Sequence, residues 1–156
     1  MNKTLTAILA AAAVALLSGC STDGVDTTNT KSITARAGKD ISASDLAKGR
    51  AQFRDANYGL AEKHFRKAVE LRASNAEAWM GLAASYDELG RFDFADRAYD
   101  QLVKIAGRKP QIVNNMGYSQ LLRGNKTKAK DLLLEAKQGM ADQTVVDANL
   151  ALLAKT

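Results

Sequence analysis

The sequence predicts an all-α helical solenoid of three helix-turn-helix repeats, each 34 residues long, followed by a C-terminal closing helix. The central stretch 76–109 contains two amphipathic segments that meet at Gly90. Five of its positions recur at the same 34-residue step on both sides with side chains of matching size and character. A hydrophobic content of 46% and a single Pro suit a chain of packed helices. Because one such unit cannot bury its apolar face alone, it requires neighbours.

The repeats are predicted at 42–75, 76–109 and 110–143, with the closing helix at about 143–154. We expect the small recurring side chains to mark close helix crossings, and the larger ones to fill the layer between repeats. The five sets are Ala61, Ala95 and Ala129; Gly49, Ala83 and Gly117; Phe65, Tyr99 and Leu133; Ala56, Gly90 and Gly124; and Ala68, Leu102 and Ala136.

Residues 1–19 have the pattern of a signal peptide. Lys3 precedes the apolar run Leu5–Leu17, which is shorter than the ~20 residues that a membrane-spanning helix needs. The run ends in Leu17-Ser18-Gly19-Cys20, which resembles the bacterial lipobox, and that resemblance implies a covalent lipid on Cys20. Ser21 then points to the outer membrane by resemblance to bacterial sorting. The alternative is an ordinary secretory signal in which the cysteine stands by chance.

Residues 20–41 are predicted to be the lipidated cysteine and a flexible tether, because they carry too little apolar surface to offset ordering. The solenoid domain is predicted at 42–156. Its first two repeats open on Ser42-x-x-Asp45 and Ser74-x-x-Glu77, which look like helix capping boxes. His64 is interpreted as a solvated helix residue.

The second repeat carries the most specific pattern. Trp79 is expected in the core, although it could also stack on a ligand. The acids Asp93, Asp96 and Asp100 are interpreted as a solvated face and not as a metal site, because no turn-forming glycine loop of the calcium type accompanies them. The closing helix is rather apolar around Val145 and Leu150, which is typical either of a tight cap or of a partner surface.

The order Trp79, Leu82, Ala83, Tyr86, Gly90, Ala95 resembles the signature of the tetratricopeptide repeat (TPR). In TPR solenoids the first helix of each repeat lines a concave groove. The resemblance therefore implies a partner groove formed by Arg50, Arg54, Met80, Ala84, Asp87, Asn114, Asn115, Tyr118 and Asn149. The asparagine amides can either bind the backbone of an extended peptide or bridge neighbouring helices.

The sequence contains none of the phosphate-binding, zinc-protease or serine-hydrolase motifs, so we expect a non-catalytic protein. We expect no cofactor and no metal, and the covalent lipid on Cys20 is the only attached group that we predict. The net charge of +5 is spread among acids, which argues against nucleic acid as a partner.

Lipobox, tether, repeats and closing helix together resemble the small TPR lipoproteins of bacterial envelope machines. The segment Asn114–Ser119 with Gly124, Ala129, Leu133, Ala136 and Asn149–Ala151 is most similar to TadD lipoproteins of tight-adherence (Flp) pilus assembly. That resemblance implies an adaptor that faces the periplasm from the outer membrane and binds a pilus secretin or other pilus assembly components. The alternative is a pilotin for another secretin, or a general scaffold that binds peptidoglycan enzymes or outer-membrane assembly factors.

Overall fold

A computed structural model describes residues 40–155, and these form seven α-helices with no strand among them. The predicted signal peptide 1–19, the lipid attachment site Cys20 and the tether as far as residue 39 lie outside the described residues. The helices are α1 (Ala43–Arg54), α2 (Tyr58–Leu71), α3 (Ala76–Glu88), α4 (Phe92–Ala106), α5 (Pro110–Leu122), α6 (Lys126–Gly139) and α7 (Thr144–Lys155).

The predicted all-α solenoid is confirmed, with three helical pairs and a closing helix. Four of the five recurring sets are buried, and the alanines at 61, 95 and 129 are completely inaccessible. The fifth set lies in the turn between the two helices of each repeat, where Ala56, Gly90 and Gly124 have φ angles of 57°, 66° and 79°. The recurring pattern therefore has two physical origins, namely close packing and a left-handed turn residue.

The first helices of the repeats form an inner row. Helix α1 contacts α3, α3 contacts α5, and α5 contacts α7, whereas α2, α4 and α6 make no contacts with one another within residues 40–155. Successive repeats are thus closer together on the side of their first helices than on the side of their second helices. This arrangement places α1, α3 and α5 along the concave side of the solenoid.

The starts of α1 and α3 differ from the predicted capping boxes. Helix α3 is capped by Asn75, whose side chain accepts a hydrogen bond from the Ala78 N–H at 3.0 Å, so Ser74 is not the cap. The Ser42 side chain makes no capping hydrogen bond. It is fully buried, donates to Asp40 at 2.6 Å and accepts from the Asn75 amide at 2.8 Å. Ser42 therefore joins the first two repeats.

The closing helix α7 covers the end of the third repeat through one side. Val146 is completely buried and packs with Val113, Leu133 and other core residues, while Leu150 and Leu153 pack around it. On the opposite side Val145 remains 56% exposed. The apolar outer face seen in the sequence is therefore present on the surface.

Candidate protein-binding groove

Four of the predicted groove residues line one open cavity between α1 and α3. Arg50 and Arg54 approach it from α1, and Met80 and Ala84 from α3. The cavity has a volume of about 400 Å³, which is within the range of ~300–1,000 Å³ that ligand pockets occupy. The same face of each first helix meets here because the positions share the register of the repeat.

One wall of the cavity is the aromatic ring of Phe65, and two glycines leave the room that this ring occupies. The Phe65 ring projects from α2 and lies between Gly49 of α1 and Gly81 of α3. A Cβ added at Gly49 would come within 2.7 Å of the ring, and one added at Gly81 would overlap it. These two glycines therefore let three helices converge on one ring.

Gly81 and Phe53 also line the cavity, and our sequence interpretation did not include them in the groove. One signal for Gly81 was present in the sequence. A glycine inside a helix costs about 1 kcal/mol relative to alanine, so its presence there indicates close packing or function. The contact with Phe65 supplies the packing reason.

The rim of the cavity is positively charged. Arg50 forms an ion pair with Glu77, and both side chains remain about half exposed. The Arg54 side chain, one helical turn further along α1, has no hydrogen bond or ion pair with any residue of 40–155. One guanidinium at the rim is therefore available to an incoming acidic group.

Asp87 does not lie on the groove surface, which corrects the prediction for this residue. It is only 4% exposed, and its carboxylate accepts hydrogen bonds from the Tyr99 hydroxyl at 2.9 Å and the Ser119 hydroxyl at 2.6 Å. Arg123 lies 3.8 Å from the same carboxylate and makes two shorter contacts with Asp96. Asp87 thus links α3, α4 and α5 from within.

The electrostatics of this cluster are those of a buried acid. Burial raises the pKa of Asp87 above its ordinary value, although the Ser119 and Tyr99 hydroxyls and the Arg123 guanidinium oppose the change. Burial and the neighbouring carboxylate likewise raise the pKa of the Tyr99 hydroxyl well above its ordinary value. The Tyr99 proton therefore stays in place, where it donates to Asp87.

The asparagines form a chain of hydrogen bonds between helices. The predicted place of Asn114 on the groove surface is therefore also corrected. Asn114 is 3% exposed, accepts from the Asn149 amide of α7 at 3.1 Å, and donates to the Asn115 side chain at 3.3 Å. Asn115 in turn donates to the Met80 sulfur of α3 at 2.8 Å. Asn115 and Asn149 are half-buried within this chain. Of the two roles considered for these amides, the geometry shows the bridging of neighbouring helices.

Tyr118 is the last predicted groove residue, and it is half-buried on α5. Burial raises the pKa of its hydroxyl, and the Glu88 carboxylate acts in the same direction. Tyr118 therefore presents a neutral phenol near Glu88, and it does not line the cavity between α1 and α3.

Trp79 and His64, the other residues singled out in the sequence, pack against or bond to neighbouring residues of the fold. Trp79 is half-buried, packs against the cores of the first two repeats and donates to the Ala73 carbonyl at 2.8 Å. His64 is half-buried, and its Nδ1 lies 3.0 Å from Asp45, a partner that the sequence interpretation missed. Within residues 40–155 no cluster of His, Cys, Asp and Glu is arranged to hold a metal, and no helix is long and apolar enough to cross a membrane.

Comparison with known families identifies the central unit. Residues 76–108 match the family described as tetratricopeptide repeat. The central helical pair is therefore similar to a TPR. The flanking helical pairs repeat its TPR geometry with the same buried positions, as the sequence resemblance implied.

Two solved structures extend the TPR similarity over most of the described residues. The TPR domain of Arabidopsis OM64 is similar at a TM-score of 0.64 and 18% identity, covering 73% of this chain and 94% of that domain. A structure of Pseudomonas aeruginosa pilF is similar at a TM-score of 0.63 and 25% identity, covering 72% of this chain and 52% of that one. No sequence among the curated proteins matches the chain. The TPR fold is shown, and it is typically a protein-interaction scaffold without catalytic activity.

Proposed function

We propose that this protein is a membrane-anchored adaptor that assists assembly of a tight-adherence (Flp) pilus and its secretin. The observation that carries the proposal is the open, largely apolar cavity on the concave side of a TPR solenoid. A soluble TPR core has no need of an open cavity for its own packing, whereas a partner segment can fill it.

The adaptor is held at the membrane by lipid on Cys20 and faces the periplasm from the outer membrane. Support for this part comes from the sequence, in the apolar run, the four lipobox-like residues and Ser21. A single acyl chain gives only marginal membrane binding, while two or more give stable anchoring. A lipidated cysteine on a polar tether would keep the groove at a high local concentration near membrane-bound partners.

The membrane anchor is tested by fractionation of cells that produce the Cys20→Ser variant. We expect the variant to leave the membrane pellet, because no lipid can be attached, while Ser21→Ala serves as the matched control and remains there. Retention of Cys20→Ser in the pellet, with its signal uncleaved or through partner contact alone, would show that the lipid on Cys20 is not the sole anchor.

The adaptor role is tested by crosslinking in native membranes, capture of the full chain in mild detergent and identification of bound proteins by mass spectrometry. Ala84→Leu places a larger side chain in the cavity and should abolish capture of the groove partner. Gln101→Leu adds the same side chain on the exposed outer side of α4 and should leave capture unchanged. Equal capture by both variants would contradict a role for the groove.

The identity of the captured partner decides the finer function. Recovery of a tight-adherence secretin or its pilus neighbours supports the proposal. Recovery of a different secretin, of peptidoglycan enzymes or of outer-membrane assembly factors would retain an adaptor and replace the pilus role.

A further inference from the structure

The cavity between α1 and α3 has the form of a pocket for a single large side chain. Its lining includes the rings of Phe53 and Phe65 and the side chain of Met80. Gly81 and Ala84 contribute almost no side-chain volume on the α3 side, and this leaves the space open. At about 400 Å³ the cavity is near the lower end of pockets that hold whole small ligands, which run from ~300 Å³ upward. One aromatic or branched aliphatic side chain suits such a space.

The charges at the rim of the cavity favour a particular kind of residue next to that side chain in the partner peptide. Glu77 already neutralises Arg50, so the charge that remains at the rim belongs to Arg54. A guanidinium offers paired donors that match a carboxylate in two parallel hydrogen bonds, and it is weakly hydrated compared with an ammonium group. An incoming basic residue would meet repulsion from Arg54.

We propose that this cavity is a recognition subsite for a partner peptide in which a large apolar side chain adjoins an Asp or Glu. The apolar side chain enters between Phe53, Met80 and Ala84, and the carboxylate binds Arg54. This inference rests on the proposed function, since it specifies the chemistry that the groove recognises. Charge complementarity is the reason to choose an acidic peptide as the occupant.

The test uses a phage-displayed library of random peptides selected against the full chain in mild detergent. We expect enrichment of peptides that carry Phe, Leu, Ile or Trp within one to four residues of Asp or Glu. Binding of a selected peptide, measured by fluorescence anisotropy, should weaken at least about tenfold in Ala84→Leu and in Arg54→Glu. Gln101→Leu and Lys104→Glu, which alter exposed positions of α4, are the controls and should change the dissociation constant less than about twofold.

Charge exchange separates recognition from structural damage. A selected peptide whose acid is replaced by Lys should bind Arg54→Glu more tightly than it binds the unmodified protein. Ala84→Met stands in for Ala84→Leu if circular dichroism shows that the latter has lost helix. Enrichment of peptides without acids, no enrichment at all, or indifference of the selected peptide to Arg54→Glu would each overturn the subsite.

Failure here is distinguishable from failure of the proposed function. If Ala84→Leu abolishes capture of the membrane partner while no acidic peptide is selected, the subsite chemistry is wrong and the adaptor role stands. If acidic peptides bind as expected and membrane capture is unaffected by Ala84→Leu, the subsite stands and the adaptor role of the groove is contradicted.

Discussion

The Phe65 ring between two glycines makes Gly81→Ala the sharpest test of how the solenoid is packed. Alanine is favoured over glycine in a helix by about 1 kcal/mol, so a helical glycine with free space around it should gain stability from the change. At Gly81 the added methyl group overlaps the Phe65 ring, and Phe65 is only 3% exposed. Overpacking of this kind costs about 1–3 kcal/mol.

Gly59 supplies the matched control, because it also lies in a helix and has no atom within 4 Å of an added Cβ. The helix-propensity gain is common to both substitutions to a first approximation, so the difference between them isolates the clash. We expect Gly81→Ala to be less stable than Gly59→Ala by about 1–3 kcal/mol. For a folded unit of this size that corresponds to a difference in melting temperature of several degrees.

The assay is urea unfolding followed by circular dichroism at 222 nm, with the denaturant slope checked to be unchanged. Phe65→Leu removes ring atoms at the point of overlap, so Gly81→Ala should cost less in that background. A coupling free energy of about 1 kcal/mol or more is expected between the two sites. Equal stabilities of Gly81→Ala and Gly59→Ala, with no coupling to Phe65, would refute the proposed packing.

Two further predictions concern the turn and the buried acid. Ala56 has a φ of 57°, so Ala56→Gly should raise the free energy of unfolding by about 0.5–1 kcal/mol in urea titrations. The control Ala47→Gly, in helix α1, should lower the free energy of unfolding by about 1 kcal/mol. A lower free energy of unfolding in both variants would contradict the strain at Ala56. The folded-state pKa of Asp87 is raised above 3.8, so its protonation favours folding, and this contribution is fully present below pH 3.8 and is lost as the pH rises through the folded pKa. The unmodified protein should therefore gain stability relative to Asp87→Asn as the pH falls from 7 toward 3.5, since carboxylates elsewhere titrate in both proteins and cancel in the difference. Thermal melts at several pH values test this, and a difference that shrinks on acidification would contradict the burial of a charged Asp87.

Four of the nine predicted groove residues line the cavity, and their placement depends only on register. Arg50, Arg54, Met80 and Ala84 share the cavity since a 34-residue period repeats the same helix face at each first helix. Asp87 and Asn114 were misplaced for a different reason. A helix face in the sequence specifies a direction, but the depth of a side chain depends on what the neighbouring helices place over it.

Those neighbouring residues come from other repeats. Asp87 is covered by Tyr99 and Ser119, which lie 12 and 32 positions away in the chain, and nothing in the local pattern pairs them. A buried polar residue must find hydrogen-bond partners, and their positions are set by the packing of three helices. The same reasoning applies to Ser42, which seemed to be a local helix signal and instead accepts a hydrogen bond from Asn75, the cap of α3.

The sequence by itself determined the all-α class, the length and number of the repeats, the turn positions and the small residues at helix crossings. These follow from periodic burial and backbone geometry, which are local and repeat along the chain. The tertiary structure alone decided that Gly81 and Ala84 leave a cavity beside Phe53 and Phe65, that Arg54 remains unpaired within residues 40–155, and that the asparagines link helices. Free space and pairing depend on several side chains brought together from distant positions, so no single stretch of sequence contains them.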